Sequence, residues 1–103
     1  MRVKIKNIPR LAFGDKIADI LEGCELTIQT GEEDSFSSLQ GLKQRLGNVD
    51  HVDFSYLEIT ESIRSSRGDN FAKEFNSIYA GMFGLMSLSR PIQIKVCCLE
   101  IVH

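Results

Sequence analysis

The stretch Phe71-Ala72-Lys73-Glu74-Phe75-Asn76-Ser77-Ile78-Tyr79-Ala80-Gly81-Met82-Phe83-Gly84-Leu85-Met86 carries the strongest periodic signal in the chain. Phe71, Phe75, Ile78, Tyr79, Met82, Phe83 and Met86 recur at three- and four-residue spacings, so they share one face of a helix. Asp69 or Asn70 stands where an N-cap closes the first turn. Arg90-Pro91 ends the run, because a proline pushes the residue before it toward extended geometry. The spacing predicts one long helix over 71–88, apolar enough to need a sheet beneath it.

After the proline, Ile92, Ile94, Val96 and Cys98 alternate with Gln93, Lys95 and Cys97. Leu99, Ile101 and Val102 then make both faces apolar, which predicts a strand in the middle of a sheet. On the other side of the helix, Thr60–Asn70 contains Glu61, Arg64, Ser65, Ser66, Arg67, Gly68 and Asp69, with Ile63 its only apolar anchor. That composition predicts an exposed loop. Before it, Val52, Phe54 and Tyr56 alternate with His51, Asp53 and Ser55, the period of a half-buried strand. Leu57 and Ile59 carry the pattern in the opposite phase, which signals a bulge or the strand's end.

The first half of the chain repeats the theme. Val3 and Ile5 between Arg2, Lys4 and Lys6 predict a strand with one wet face. Phe13, Ile17, Ile20 and Leu21 then follow helical spacing, with Asp15 a candidate cap and Gly23 placed to stop the helix. Cys24, Leu26 and Ile28 predict a second strand. Phe36, Leu39, Leu42 and Leu46 predict a second helix, with Glu32, Glu33 and Asp34 at the end where negative charge is favoured and Gly47 at the other. The expected order is therefore βαβαβαβ, a single α/β or α+β domain over 1–103 with three helices on a sheet of about four strands. The sheet is either built of right-handed parallel crossovers or mixed, and the mixed form is preferred.

Composition agrees with one core. The 103 residues are 43% hydrophobic and 25% charged, an ordinary globular balance. No apolar run approaches the roughly 20 residues of a bilayer span, and the alternating N-terminus does not read as a signal peptide. Cys24, Cys97 and Cys98 are an odd set whose adjacent pair diverges if it lies in a strand, so reduced thiols and a cytoplasmic location are expected. The net charge of −2 is small but unevenly spread. Residues 1–16 are basic, through Arg2, Lys4, Lys6, Arg10 and Lys16, while residues 17–34 hold six acids and no base. Either the two parts neutralise each other within the fold or they drive head-to-tail association.

Chemical motifs are few. Cys24, Cys97, Cys98, His51 and His103 are of zinc-binding type, but no second cysteine pair with convergent spacing accompanies them, and no metal or cofactor is expected. Cys24 follows the negative end of a helix, a poor place for a nucleophilic thiolate. Glu58 and Glu61 have no companions for acid and base work and read as solvated carboxylates. Gly81 and Gly84 sit in an apolar helical pattern, a spacing for close packing rather than a phosphate cradle. Arg67-Gly68-Asp69 matches an adhesion tripeptide, but a turn at Gly68 and a cap at Asp69 account for it.

The order His51-Val52-Asp53-Phe54-Ser55, a polar loop, and a helix from about Phe71 resembles the central strand, switch loop and helix of STAS-type domains. The resemblance spans about a third of the chain, and the loop is longer than that family's usual turn. It implies a regulatory partner-binding domain switched by phosphorylation in the 60–70 loop, at Ser62, Ser65 or Ser66.

With no site chemistry in view, the expected function is a non-catalytic interaction or assembly module, a small regulatory or structural subunit. It would bind a protein partner or a second copy through Ile78, Met82, Phe83, Leu85, Met86 and Leu88, where the helix is apolar over a wider arc than one sheet face requires. The alternative is nucleic-acid binding through Arg2, Lys4 and Lys6 of the first strand with Arg64 and Arg67.

Overall fold

Val3 and Ile5 are fully buried while Arg2 and Lys4 face outward, the alternation that makes Arg2–Ile5 a half-buried strand, β1. It opens a computed structural model that describes residues 2–28 and 50–102. The predicted helix carrying Phe36, Leu39, Leu42 and Leu46 lies outside the described residues.

After Pro9 come two short helices, α1 (Arg10–Phe13) and α2 (Asp15–Leu21), where the sequence predicts one. Gly14 divides them at φ 84, a left-handed conformation that glycine adopts without strain. Asp15 is accordingly the first residue of α2 rather than its cap. Ile17, Ala18, Ile20 and Leu21 form the buried face. Gly23, at φ 82, then turns the chain into β2 (Glu25–Thr27).

β3 (His51–Phe54) stops where the apolar phase slips, and Tyr56–Arg67 is a twelve-residue helix, α3. This corrects the expected loop over 60–70. Two things make the helix. Ser55 Oγ accepts the Glu58 backbone N–H at 3.1 Å while the Glu58 carboxylate accepts the Ser55 N–H at 3.3 Å, a complete capping box. Ile59 and Ile63, four residues apart, are fully buried. The buried polar residues between them are satisfied, since Thr60 donates to Leu57 O at 3.0 Å and Ser62 donates to Glu25 O on β2.

Gly68, at φ 105, is the sole residue between α3 and the main helix α4 (Asp69–Phe83). It occupies the N-cap position expected of Asp69 or Asn70. The Asp69 carboxylate instead accepts from Arg64 Nε at 3.0 Å and pairs with Lys73 Nζ at 3.2 Å. At the far end, Gly84 at φ 85 stops α4, and Leu85–Ser89 follow as a 3₁₀ turn. The predicted helix over 71–88 is thus shorter than its apolar pattern, because that pattern runs through a glycine which breaks the ladder.

The last apolar run is two strands rather than one. β4 (Ile92–Lys95) and β5 (Leu99–Ile101) are separated by a 3₁₀ turn, Val96–Cys98. The break is visible as a slip in phase: Ile92, Ile94, Val96 and Cys98 are buried on even numbers, and Leu99 is buried on the next odd one. β5 pairs antiparallel with β1, which also pairs antiparallel with β2, giving the order β2-β1-β5. β3 and β4 form a separate antiparallel pair. The fold is a small mixed α/β domain with four helices and two antiparallel sheets among the described residues. The expected single mixed sheet of about four strands, with its last strand at the centre, is corrected accordingly.

One hydrophobic cluster joins the elements, with Val3, Ile5, Ile17, Leu21, Cys24, Phe54, Ile59, Ile63, Phe75, Ile94 and Leu99 nearly or fully inaccessible. Phe75, Tyr56 and Tyr79 form a three-ring cluster, with centroids 5.8 Å apart for Tyr56–Phe75, 5.3 Å for Phe75–Tyr79 and 5.9 Å for Tyr56–Tyr79. Tyr79 passes the stack outward to Phe83 at 4.7 Å.

Candidate functional site

The aromatic stack leads from core to surface. Phe75 is buried, whereas at the C-terminal end of α4 Met82 and Phe83 are 50% and 44% exposed, and beyond Gly84 Leu85 and Met86 are 77% and 76% exposed. Four large apolar side chains within five residues therefore meet solvent where a helix and a 3₁₀ turn join. Ile78 and Leu88, from the same predicted set, are half-buried and pack on the core cluster. Gly81 does not admit a close neighbour as its spacing suggested: beyond the local helix backbone, no described atom lies within 4 Å of the position a Cβ would take there. Gly84 serves the turn.

Beside this end lies a groove of about 480 Å³. Tyr79 and Phe83 of α4 form one wall, Pro9, Ala12 and Phe13 of the α1 segment another, and Ile92–Lys95 of β4 contribute a third. Leu11 on α1 is fully exposed, and the Met82 side chain reaches back toward Gly14 at the α1–α2 junction. The share taken by α1 escapes sequence reasoning, because residues 8–13 have no periodicity of their own. Leu57, on the outer face of α3, is also exposed, although the sequence pattern places it with Ile59 at a bulge or the end of a strand.

Asp50, His51, Gln93 and Lys95 supply polar lining to the groove. His51 Nδ1 lies 3.3 Å from Asp50 Oδ1, and its Nε2 lies 3.8 Å from Asp53 Oδ1. The His51 hydrogen bond holds the Asp50 carboxyl below the usual carboxylate range. No three His, Cys, Asp or Glu side chains converge as metal ligands among the described residues.

The basic candidates are not brought together as one patch of free charge. Arg2 pairs with Glu25 across the β1–β2 ladder at 2.7 Å. Arg64 is held by Glu61 at 2.7 Å and by Asp69. Arg67 reaches back to α2, where Nε donates to Ile20 O at 2.8 Å and a terminal nitrogen donates to Glu22 O, so its guanidinium seals the C-terminal carbonyls of that helix. Lys4 faces solvent and Lys6 is half-buried. The uneven charge is met in the same way among the described residues, which leave out Glu32, Glu33 and Asp34. Arg10 pairs with Asp19 at 2.6 Å and Asp15 at 3.3 Å, so basic and acidic parts meet within the chain, and Asp19 more than Asp15 raises the guanidinium's affinity for its proton.

The remaining candidates are mostly absorbed by the fold. Cys24 is buried, donates from Sγ to Ile20 O at 3.3 Å, and has its thiol pushed up by burial. Glu58 completes the α3 cap and Glu61 holds Arg64. Of the serines implied by the STAS resemblance, Ser62 is buried and hydrogen-bonded to β2, while Ser65 and Ser66 are exposed on a helix rather than in a switch loop. No described helix is long and apolar enough to cross a membrane.

No family model matches this chain, and no curated protein or solved structure is significantly similar to it.

Proposed function

We propose that this domain is a non-catalytic protein-interaction module that self-associates through the end of α4 and the 3₁₀ turn after it. The observation that supports the reading is the cluster of Met82, Phe83, Leu85 and Met86, apolar and 44 to 77% exposed. Leaving such area in water costs about 25 cal/mol per Å² relative to burying it. Isolated apolar residues on a surface are ordinary, but a cluster of four beside an apolar groove is the composition of an interface core. A second copy presents the same surface, so a two-fold contact buries it on both sides at once. Two methionines in the cluster suit it to an adaptable contact.

The other readings have less behind them. A nucleic-acid site is left with Lys4 and Lys6, because Arg2, Arg64 and Arg67 are engaged within the fold. A STAS-like switch lacks its loop.

Size exclusion with light scattering, on reduced protein over a wide concentration range, tests the proposal. The wild-type chain is expected to shift from monomer to dimer as concentration rises. The Leu85→Asp/Met86→Asp chain is expected to stay monomeric with an unchanged far-UV spectrum. A wild-type chain that is monomeric at every concentration contradicts self-association.

A further inference from the structure

Cys97 and Cys98 do not diverge as adjacent strand residues would. They sit in the 3₁₀ turn Val96–Cys98, where successive side chains are rotated by about 120° rather than 180°, and their Sγ atoms are 3.9 Å apart. Cys97 is exposed and Cys98 is buried. The turn is held on both sides, since Val96 N–H donates to Asp50 O at 2.8 Å and Cys98 O accepts from Lys6 N–H at 2.8 Å. Cys98 Sγ lies 3.5 Å from Asn7 O, to which it donates. Two thiols are thus placed side by side in the segment that joins the two sheets, one open to solvent and one behind it.

We propose that Cys97 and Cys98 form a thiol-oxidation site, at which glutathione disulfide or a similar small disulfide converts the pair to a vicinal disulfide. The Cys97 thiolate attacks the small disulfide, forming a mixed disulfide and releasing one thiolate. Cys98 then loses its proton to solvent and attacks Cys97 Sγ. The bond between Cys97 and the small thiol breaks, and a second thiolate leaves. In sum, two protein thiols become one disulfide, and their two electrons reduce the small disulfide to two thiols. Exposure makes Cys97 the first to react, and proximity suits Cys98 to the second step, its sulfur 3.9 Å from Cys97 Sγ offsetting the burial that pushes its thiol up.

Closure brings the sulfurs from 3.9 Å to about 2.05 Å. It spans Cα atoms about 3.8 Å apart, shorter than the usual disulfide range, so the bond is strained and easily reduced. A strained, accessible disulfide belongs to the labile class that follows the thiol poise around it. Oxidation would stiffen the turn through which β4 passes into β5.

The test is to incubate the full chain with glutathione disulfide, quench with acid, and measure intact and peptide masses. The wild-type chain is expected to lose two hydrogens in the peptide containing Cys97 and Cys98, to carry no lasting adduct, and to revert with excess reduced glutathione. Cys98→Ser is expected to retain one glutathione at Cys97, and Cys97→Ser to react roughly tenfold more slowly or less. A stable glutathione adduct on the wild-type chain, a disulfide between two chains, or no reaction at this pair would each overturn the proposal. The wild-type arm decides closure even if Cys98→Ser fails to fold.

Discussion

Residues Tyr56–Arg67 and Met82–Met86 sit opposite to their polarity, the polar stretch largely used by the fold and the apolar one left facing solvent. The first stretch is polar and serine-rich, and from Thr60 on its composition suggests an exposed loop, yet apart from Leu57, Ser65 and Ser66 its groups are used by the fold. Ser55 and Glu58 cap it, Ile59 and Ile63 enter the core, Ser62 bonds β2, and Arg67 seals α2. The second is apolar, and the sequence offers it as a binding face wider than one sheet requires; its four large side chains are at least 44% exposed. Polarity alone therefore does not separate what the fold consumes from what it leaves over. What separates them is where each side chain's hydrogen bonds and contacts go.

Substitutions can break this contrast. Ile63→Ala is expected to lower unfolding free energy by about 2–5 kcal/mol, the range for truncating a buried isoleucine, whereas Leu85→Ala should stay within about 0.5 kcal/mol. Urea titrations of the two variants measure the difference, and a mild Ile63→Ala would return 56–67 to a surface role. Arg67→Ala removes two charge-assisted hydrogen bonds to backbone carbonyls. It should cost about 1–2 kcal/mol, the lower part of the range because the residue is exposed, and the same titration reads it. If Arg67 instead serves a polyanion, the variant will keep its stability.

Ser55→Ala should cost about 1 kcal/mol through loss of the α3 cap, seen as a lower denaturation midpoint with unchanged slope. The smallest effect concerns pH. Arg64 first, then Lys73, hold the Asp69 carboxyl below its ordinary value. The folded state thus binds this proton less readily than the unfolded chain. The contribution is present above the ordinary carboxylate range and fades as pH falls through the lowered folded value. Asp69→Asn should remove that share of acid sensitivity, measured as a smaller change in midpoint between neutral and acid pH.

Much of the fold was legible where one face is wet. The alternation around Val3 and Ile5, around Leu26, and from Ile92 to Ile94 marks strands, and Phe71 through Phe83 marks the main helix. Three features were harder. α3 presents only Ile59 and Ile63 to the core as large aliphatics, with polar residues between them, so its stripe is too narrow to register. The signal that identifies it is the pair Ser55 and Glu58, a serine followed three residues on by an acid, ahead of the apolar pair Ile59 and Ile63. The split of the last strand shows only as the phase slip at Cys98–Leu99. The groove needs α1 beside α4, and pairing over that distance in the chain leaves no local pattern.

Amide hydrogen exchange at low and high protein concentration tests both halves of the comparison at once. The account expects slow exchange within Tyr56–Arg67 at every concentration, with amides of residues 80–89 gaining protection only as concentration rises. Fast exchange through the middle of α3, or protection at 80–89 that ignores concentration, would contradict it.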